Sequence, residues 1–255
     1  MIVYIDGLKV YYEAVGKGEP IVLLHGWGAD TNLMRPIVHM LQDCRKFRVY
    51  TLDFPGFGLS ECPQEAWDVS RYASFVIKFF DNLDLQCVNV LGHSFGGRIA
   101  IKLASTYPDR IKQLILVDSA GIKPKRTLQY ALKIGFVKVL RKITFMLPDG
   151  ALKEIISRII LSQGSRDYQK AGKLRKTLVK IVNEDLRNLL PLIQCPTLII
   201  WGGKDVETPL EDGLLMSQLI PNSRLEVLNE SGHFPFIDNP RAFKELLMSY
   251  LGENP

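Results

Sequence analysis

Ser94 lies in the run Gly-His-Ser-Phe-Gly at residues 92–96, which fits the pattern G-x-S-x-G. A short apolar run precedes it, and apolar residues at helical spacing follow it. A sharp turn from strand to helix exposes the serine hydroxyl, and the flanking glycines keep the backbone from clashing. The following helix places its N–H groups and positive end beside a developing anion. The sequence therefore predicts Ser94 as a nucleophile, with a serine in an ordinary turn as the alternative.

A serine hydroxyl reacts as a nucleophile only when a base removes its proton, so a histidine is needed. The chain has four: His25, His39, His93 and His233. His233 follows the last predicted strand and so reaches the sheet edge where the loops after parallel strands meet, the same edge as Ser94. We expect His93 to pack, and His39 to lie on a helix, at its surface or in a groove. His233 is therefore the predicted base, with a structural loop histidine as the alternative.

The base needs an acid that fixes its tautomer and stabilises the imidazolium. Asp205 ends the run Trp-Gly-Gly-Lys-Asp at 201–205, directly after the penultimate predicted strand. Glu207 and Asp118 are the alternatives, since Asp118 follows a neighbouring strand. The sequence predicts Asp205 as the acid.

The run His-Gly-Trp-Gly at 25–28 follows the first buried strand. A loop flanked by glycines can aim the Trp27 N–H into the site, where it and the Phe95 N–H would form a two-donor oxyanion hole. An ordinary connecting loop is the alternative. The side chains of Trp27 and Phe95 are also expected to present apolar walls to a substrate.

Elements that alternate along the chain must position these residues. Short, partly β-branched runs that stop at polar or turn residues are typical of buried parallel strands. Runs between them with apolar residues on one face predict helices that cover a parallel sheet. The predicted strands are 2–6, 8–15, 21–24, 49–52, 88–91, 114–117, 197–201 and 225–228, and the predicted helices are 31–43, 70–83, 95–107 and 240–251.

The alternation of predicted strands and helices stops at Gly121 and resumes near residue 191. We predict a core formed by 1–120 and 191–255, with 121–190 as a helical insertion. Residues 121–190 hold 16 Lys and Arg but only 5 Asp and Glu, whereas the rest of the chain holds 16 and 22. The insertion could therefore face an anionic partner. A solvated lysine-rich surface is the alternative, and Lys170, Lys173, Lys176 and Lys180 are predicted to line one helical face.

Composition excludes several classes of protein. The 255 residues are 47% hydrophobic and 23% charged, which is ordinary globular composition and argues against disorder. Four widely spaced cysteines argue against a zinc module and a disulfide framework. We see neither a signal peptide nor an apolar run long enough for stable membrane insertion, so we expect a cytoplasmic protein. The basic segment lacks any nucleic-acid-binding module.

These motifs together resemble the α/β-hydrolase fold family. The order Ser94, Asp205, His233 matches that family's order of nucleophile, acid and histidine. The runs at 25–28, 53–60, 92–97, 201–205 and 232–233 carry the resemblance over nearly the whole chain. It implies a mostly parallel eight-stranded sheet with helices on both faces and a helical cap at 121–190. The chain is also similar to compact capped carboxylesterases, among them the pimeloyl-carrier-protein methyl ester esterases, in which a basic cap grips an acidic carrier protein.

The resemblance implies a serine hydrolase that cleaves small-molecule carboxylic esters through an acyl-enzyme and needs no metal or organic cofactor. Ser94 occupies the strand-to-helix turn at 92–96, called here the elbow. The dehalogenases and epoxide hydrolases that use an aspartate at this turn are therefore disfavoured. Alternatives are hydrolysis of a carrier-bound acyl ester or thioester, carbon–carbon bond hydrolysis, lipid binding by the insertion, and a non-hydrolytic binding protein. Ile134, Phe136 and Leu140 are expected to add apolar wall, and the oligomeric state is left open.

Overall fold

A computed structural model describes residues 1–123, 144, 156 and 165–253. Several predictions for the insertion lie outside these residues. They concern the apolar wall of Ile134, Phe136 and Leu140, and the run at 127–147 considered for lipid binding, of which only residue 144 is described.

Eight strands form one sheet, and all eight predicted strands are present. Most begin or end one to three residues beyond the predicted bounds, because ladder hydrogen bonds continue past the apolar run. The strands are β1 Ile2–Ile5, β2 Leu8–Gly16, β3 Glu19–Leu24, β4 Phe47–Leu52, β5 Val88–His93, β6 Ile111–Val117, β7 Thr197–Gly202 and β8 Ser223–Leu228.

The sheet is mostly parallel, with the spatial order β1-β2-β4-β3-β5-β6-β7-β8. The first two strands form an antiparallel hairpin in which Ile5 pairs with Leu8. Asp6 and Gly7 at its turn have φ of 51° and 79°, as expected for the tight hairpin turn that the sequence indicates. Strand β2 is antiparallel to β4, and all later pairs are parallel. The predicted fold class is confirmed.

Helices cover both faces of the sheet. The predicted helix at 31–43 begins as a 3₁₀ turn, Thr31–Met34. The helix at 210–219 was not predicted, because its apolar residues do not lie on one face. No helix within the described ranges is both long and apolar enough to cross a bilayer. The helices, numbered over the described residues, are α1 Arg35–Asp43, α2 Val69–Asn82, α3 Phe95–Thr106, α4 Arg166–Lys170, α5 Arg175–Asn183, α6 Leu210–Leu219, α7 Pro235–Asp238 and α8 Pro240–Glu253, with further 3₁₀ turns at Pro108–Arg110, Gly172–Leu174 and Arg187–Leu192.

Two apolar cores lie on opposite faces of the sheet. One contains the buried faces of α2 and α3, including Tyr72, Phe79 and Ile99. The other contains the buried residues of α1 and α8, including Leu41 and Phe243. Burial of this kind contributes about 25 cal/mol for each Å² of apolar surface removed from water, so the helices are held on the sheet by their apolar stripes.

The described part of the connection from β6 to β7 is helical and packs on the first core. Leu174, Ile181 and Leu190 belong to that core. The predicted lysine face is divided, because the backbone of Gly172 takes φ of +50° and ends α4 before α5 begins. Lys170 and Lys173 therefore lie outside α5, which carries Lys176 and Lys180.

The turn between β5 and α3 brings three backbone segments into close contact. Ser94 has φ of 52°, in the left-handed region that non-glycine residues rarely adopt. A Cβ at Gly96 would lie 2.0 Å from the Leu24 carbonyl oxygen, and one at Gly92 would lie 2.5 Å from the Gly96 oxygen. Only glycine fits at these two positions, so the glycines of the motif permit the turn that carries Ser94.

We predict that Gly96→Ala lowers the free energy of unfolding by about 3 kcal/mol or more, because its methyl group meets backbone that cannot move aside. Chemical denaturation at fixed pH measures this. Gly252→Ala in α8 is the matched control, since a Cβ there has nothing within 4 Å. Alanine should raise stability there by up to about 1 kcal/mol. Equal stabilities for the two variants would contradict the close approach of α3 to β3.

Candidate active site

The predicted site residues follow the ends of parallel strands at one edge of the sheet. Trp27 follows β3, Ser94 follows β5, Asp118 follows β6, Asp205 follows β7 and His233 follows β8. Loops after the carboxyl ends of parallel strands share an edge, and the structure brings these loops together there as the sequence predicts.

Asp205 and His233 are joined by a hydrogen bond of 2.7 Å between His233 Nδ1 and Asp205 Oδ2. Both residues are buried, with 8% and 9% of their surfaces exposed. A carboxylate can only accept, so Nδ1 carries the proton and donates it to Asp205. His233 Nε2 is thereby left with a lone pair, which is the tautomer that a general base requires.

Asp205 accepts three more hydrogen bonds besides that from His233. The Thr208 hydroxyl donates to Oδ2 at 2.6 Å. The backbone N–H groups of Glu207 and Thr208 donate to Oδ1 at 2.7 and 3.1 Å. Burial alone would raise the pKa of Asp205, but the hydrogen bonds from His233 and Thr208 outweigh it and hold that pKa well below its usual range. Asp205 is therefore ionised at neutral pH.

Sequence reasoning missed Thr208. An aspartate that accepts from N–H groups two and three residues later forms a common turn motif, and this spacing was the available signal. The backbone oxygen of Thr208 also accepts from Trp201 Nε1 at 3.0 Å, which fixes the residue in place.

The two alternative acids occupy different positions around the imidazole. Glu207 Oε2 lies 3.4 Å from His233 Nε2, the nitrogen opposite Asp205, and the Glu207 side chain is 63% exposed. Asp118 is fully buried, and its Oδ1 accepts the Gly202 N–H at 2.8 Å. Neither residue makes a hydrogen bond to His233 Nδ1 in the described structure, so the geometry favours Asp205 as its partner.

His93 packs against His233. Its Nε2–H donates to the His233 carbonyl oxygen at 2.8 Å, and the two ring centroids are 4.8 Å apart. His93 is 1% exposed, and burial lowers its pKa to about 3, so the ring stays neutral at physiological pH. The next residue is Ser94, so this contact brings the elbow and the His233 loop to one place.

His25 and His39 have other surroundings. His25 is buried, where its Nε2 accepts the Phe54 N–H at 3.0 Å and its Nδ1–H donates to the Gly26 oxygen at 2.8 Å. These bonds hold the loop that carries Trp27. His39 is exposed on α1, as expected.

The loop at 25–28 lies against the elbow, since a Cβ at Gly26 would come within 3.4 Å of the Ser94 Cβ. Among residues 1–123 and 165–253, neither the Trp27 N–H nor the Phe95 N–H makes a hydrogen bond. Phe95 is 3% exposed, and its ring packs beneath Trp27 with centroids 5.4 Å apart. Trp27, which is half-buried, is therefore the more accessible of the two predicted apolar walls.

Asp118, Asp205 and His233 place one potential metal ligand atom each within 4.8 Å of one another. Hydrogen bonds already occupy Asp205 and His233 Nδ1, so an ion at this place would have to break the Asp205–His233 bond. The arrangement fits an internal hydrogen-bond network better than a metal centre. A half-buried serine at a positive-φ turn, an oriented imidazole and two N–H groups without partners in the described structure are the groups that acyl transfer requires.

Comparison with known proteins shows which family the chain is similar to. The family model described as alpha/beta hydrolase fold matches residues 19–140 and 160–240. A pimeloyl-[acyl-carrier protein] methyl ester esterase of Aeromonas hydrophila is 29% identical over 96% of this chain and all of its own. A 2-hydroxymuconate semialdehyde hydrolase of Pseudomonas putida is 27% identical over 97% of this chain and 92% of its own. The solved esterase of Exiguobacterium antarcticum is 29% identical, with a TM-score of 0.75 over 98% of both chains.

The low pKa of His93 predicts a loss of stability in acid. The unfolded chain binds a proton at this residue below about pH 6.5, whereas the folded chain binds it only near pH 3. Stability must therefore fall as pH falls through this window. We expect the wild type to lose about 2 kcal/mol more than His93→Gln between pH 7 and pH 5.

Denaturant unfolding at the two pH values measures the difference. His39→Gln controls for removing an exposed histidine. Equal pH dependence in the wild type and His93→Gln, or an NMR titration of the native His93 ring near pH 6.5, would contradict the prediction.

Proposed function

The chain belongs to the α/β-hydrolase family and is a hydrolase, and we propose that it cleaves carboxylic esters through an acyl-enzyme intermediate. The observation that carries this proposal is the short hydrogen bond between Asp205 and His233 beside an elbow that holds Ser94 at positive φ. In this proposal Ser94 is the nucleophile, His233 the base, Asp205 the orienting acid, and Trp27 and Phe95 the oxyanion donors.

The first half-reaction acylates Ser94. His233 Nε2 takes the hydroxyl proton while the Ser94 oxygen attacks the ester carbonyl carbon. The backbone N–H groups of Trp27 and Phe95 bind the carbonyl oxygen as it becomes negative. His233 then returns the proton to the leaving alcohol, and the carbon–oxygen bond breaks.

The second half-reaction regenerates the enzyme. Water enters the position that the alcohol has left, and His233 removes its proton as it attacks the acyl carbon. The same two N–H groups stabilise the second tetrahedral intermediate, and Ser94 regains its proton when the acid departs. Asp205 stays ionised throughout and stabilises the imidazolium in both halves. The proposal needs no metal or organic cofactor.

The surroundings of His233 Nε2 favour an uncharged leaving group. The Glu207 carboxylate lies 3.4 Å from this nitrogen, and an anionic group arriving there would meet its charge. Residues 121–190 serve as the cap in the same proposal. We also propose a cytoplasmic location, which the unpaired state of Cys44, Cys62, Cys87 and Cys195 fits.

Hydrolysis of a p-nitrophenyl ester series from acetate to laurate tests the reaction. We expect turnover with an optimum at one acyl length, and a loss of about 10⁴-fold or more in kcat for Ser94→Ala. A fluorophosphonate probe should label the wild type and not the variant. Ser105→Ala is the matched control, because Ser105 lies on the same helix α3 and, among the described residues, its hydroxyl bonds the Lys102 oxygen alone.

Two other outcomes would redirect the proposal. Cleavage of 2-hydroxymuconate semialdehyde without cleavage of any ester would indicate carbon–carbon bond hydrolysis, the reaction in the name of the Pseudomonas relative. Failure of the phosphonate to label Ser94 in folded protein would indicate a non-hydrolytic binding protein.

A carrier-bound ester or thioester is a second candidate substrate. A cavity of about 930 Å³ lies between residues 62–66 and the helical segment 168–180. Its basic residues, called here the basic groove, are Lys173, Arg175, Lys176 and Lys180. Glu65 supplies the single carboxylate among the described lining residues. The groove complements an acidic carrier protein, the kind of substrate in the name of the Aeromonas relative.

We predict that Lys173→Glu with Lys176→Glu lowers kcat/KM for a carrier-bound methyl ester about tenfold at low salt, while turnover of a small p-nitrophenyl ester stays unchanged. Salt should weaken the wild-type reaction with the carrier substrate, because it screens exposed charges. Lys17→Glu with Lys46→Glu is the control, since both residues are exposed at the opposite edge of the sheet, near the starts of β3 and β4. Full activity on the carrier substrate at high salt would exclude docking by charge.

A further inference from the structure

Two buried carboxyl groups lie side by side behind His233. Asp118 follows β6 and is fully buried, with its backbone at φ of 40°. Asp205 is 8% exposed. Oxygen atoms of the two side chains and a nitrogen of His233 all lie within 4.8 Å of one another. The reaction described above uses Asp205 and leaves Asp118 without a role.

Hydrogen bonds at the two groups differ in a way that assigns a proton. Asp205 accepts from His233, the Thr208 hydroxyl and two backbone N–H groups. In the described structure the Asp118 carboxyl group accepts one hydrogen bond, from the Gly202 N–H to Oδ1. Its Oδ2 is buried and has no partner in the described structure when the group is ionised. Neighbouring buried carboxylates do not both ionise, so the one with fewer donors keeps the proton.

The charges around Asp118 agree with this assignment. Burial raises the pKa of Asp118 to about 9, the Gly202 N–H opposes that rise, and the carboxylates of Asp205 and Asp238 add to it. His233 is the nearby base, and it is already bonded to Asp205. The Thr208 hydroxyl faces the backbone oxygen of Asp118 at 3.1 Å rather than its carboxyl group.

We propose that Asp118 is protonated in the working enzyme and donates a hydrogen bond from Oδ2 to Asp205, which positions Asp205 against His233. Asp118 is thus a positioning residue for the reaction proposed above, and its effect on rate rests on that proposal. In alkaline solution hydroxide removes the proton. Two adjacent carboxylates then repel each other, and the hydrogen bond that aligns Asp205 is lost.

The protonation of Asp118 also determines how the free energy of unfolding changes with pH. The unfolded chain releases the Asp118 proton near pH 4, whereas the folded chain keeps it until about pH 9. Stability from this group is therefore fully present below pH 4 and is lost as pH rises toward 9. Asparagine has the same shape, accepts from Gly202 and donates to Asp205 with no proton to lose, so Asp118→Asn should be the more stable protein at neutral and alkaline pH.

The experiment compares the wild type, Asp118→Asn and Asp118→Leu between pH 5 and pH 10. We expect the folded-to-unfolded ratio of the wild type to fall relative to Asp118→Asn by up to about tenfold for each pH unit. We expect Asp118→Asn to retain most of the kcat/KM that Asp118→Leu loses. At alkaline pH, the kcat/KM of Asp118→Asn should begin to fall at a higher pH than that of the wild type. Superimposable pH profiles of stability and activity for wild type and Asn would overturn the proposal.

A third measurement separates failure of this inference from failure of the proposed function. The proton between His233 Nδ1 and Asp205 can be followed by NMR without any substrate. We expect its signal to disappear above about pH 9 in the wild type and to persist in Asp118→Asn. If no ester is cleaved, this result and the stability profiles still decide the protonation and positioning. If Asp118→Leu does not fold, the comparison of the wild type with Asp118→Asn is sufficient to test the proposal.

Discussion

The backbone of α3 approaches the end of β3 so closely that a single methyl group at residue 96 would overlap the Leu24 carbonyl oxygen. The position of Ser94 depends on this contact, because the chain can leave β5 and enter α3 there only through a residue at positive φ. A second close approach serves the other half of the site. A Cβ at Gly202 would lie 2.0 Å from the Gly232 oxygen, so the loops of Asp205 and His233 meet backbone to backbone. Contacts between main chains thus determine the positions of side chains that must meet within hydrogen-bond distance.

The buried titratable residues around His233 differ in their charge. His25 and His93 are kept neutral because burial lowers their pKa values, and Asp118 is kept neutral by the proton that burial and its neighbours retain. Asp205 is ionised, since four hydrogen bonds stabilise its charge. An isolated buried charge is unfavourable unless it is paired. In the proposed reaction the partner is the imidazolium that His233 becomes, so the negative charge of Asp205 stabilises the positive charge that forms.

Sequence patterns predicted the parts of the molecule that depend on local rules. The apolar runs predicted all eight strands, and the position of each polar residue after a strand placed Ser94 and His233 at one edge. Thr208 and the pairing of Asp118 with Asp205 were missed, because they depend on which side chains from different loops meet. Spacing also could not show that Gly172 would take positive φ and divide the lysine face. The Phe95 ring was expected at a wall, but the packing of Trp27 over it decided its burial.

Acidic and basic side chains occupy different places in the described structure around His233 and residues 165–190. Burial raises the pKa of Asp167, which lies within electrostatic range of His233, and Glu207 lies 3.4 Å from His233 Nε2. The basic groove carries four cations. An acidic protein is therefore attracted to the groove and repelled from the histidine. If the substrate is carrier-bound, the acidic carrier docks at the groove and an uncharged part of the substrate approaches His233, beside which Glu207 repels an anion.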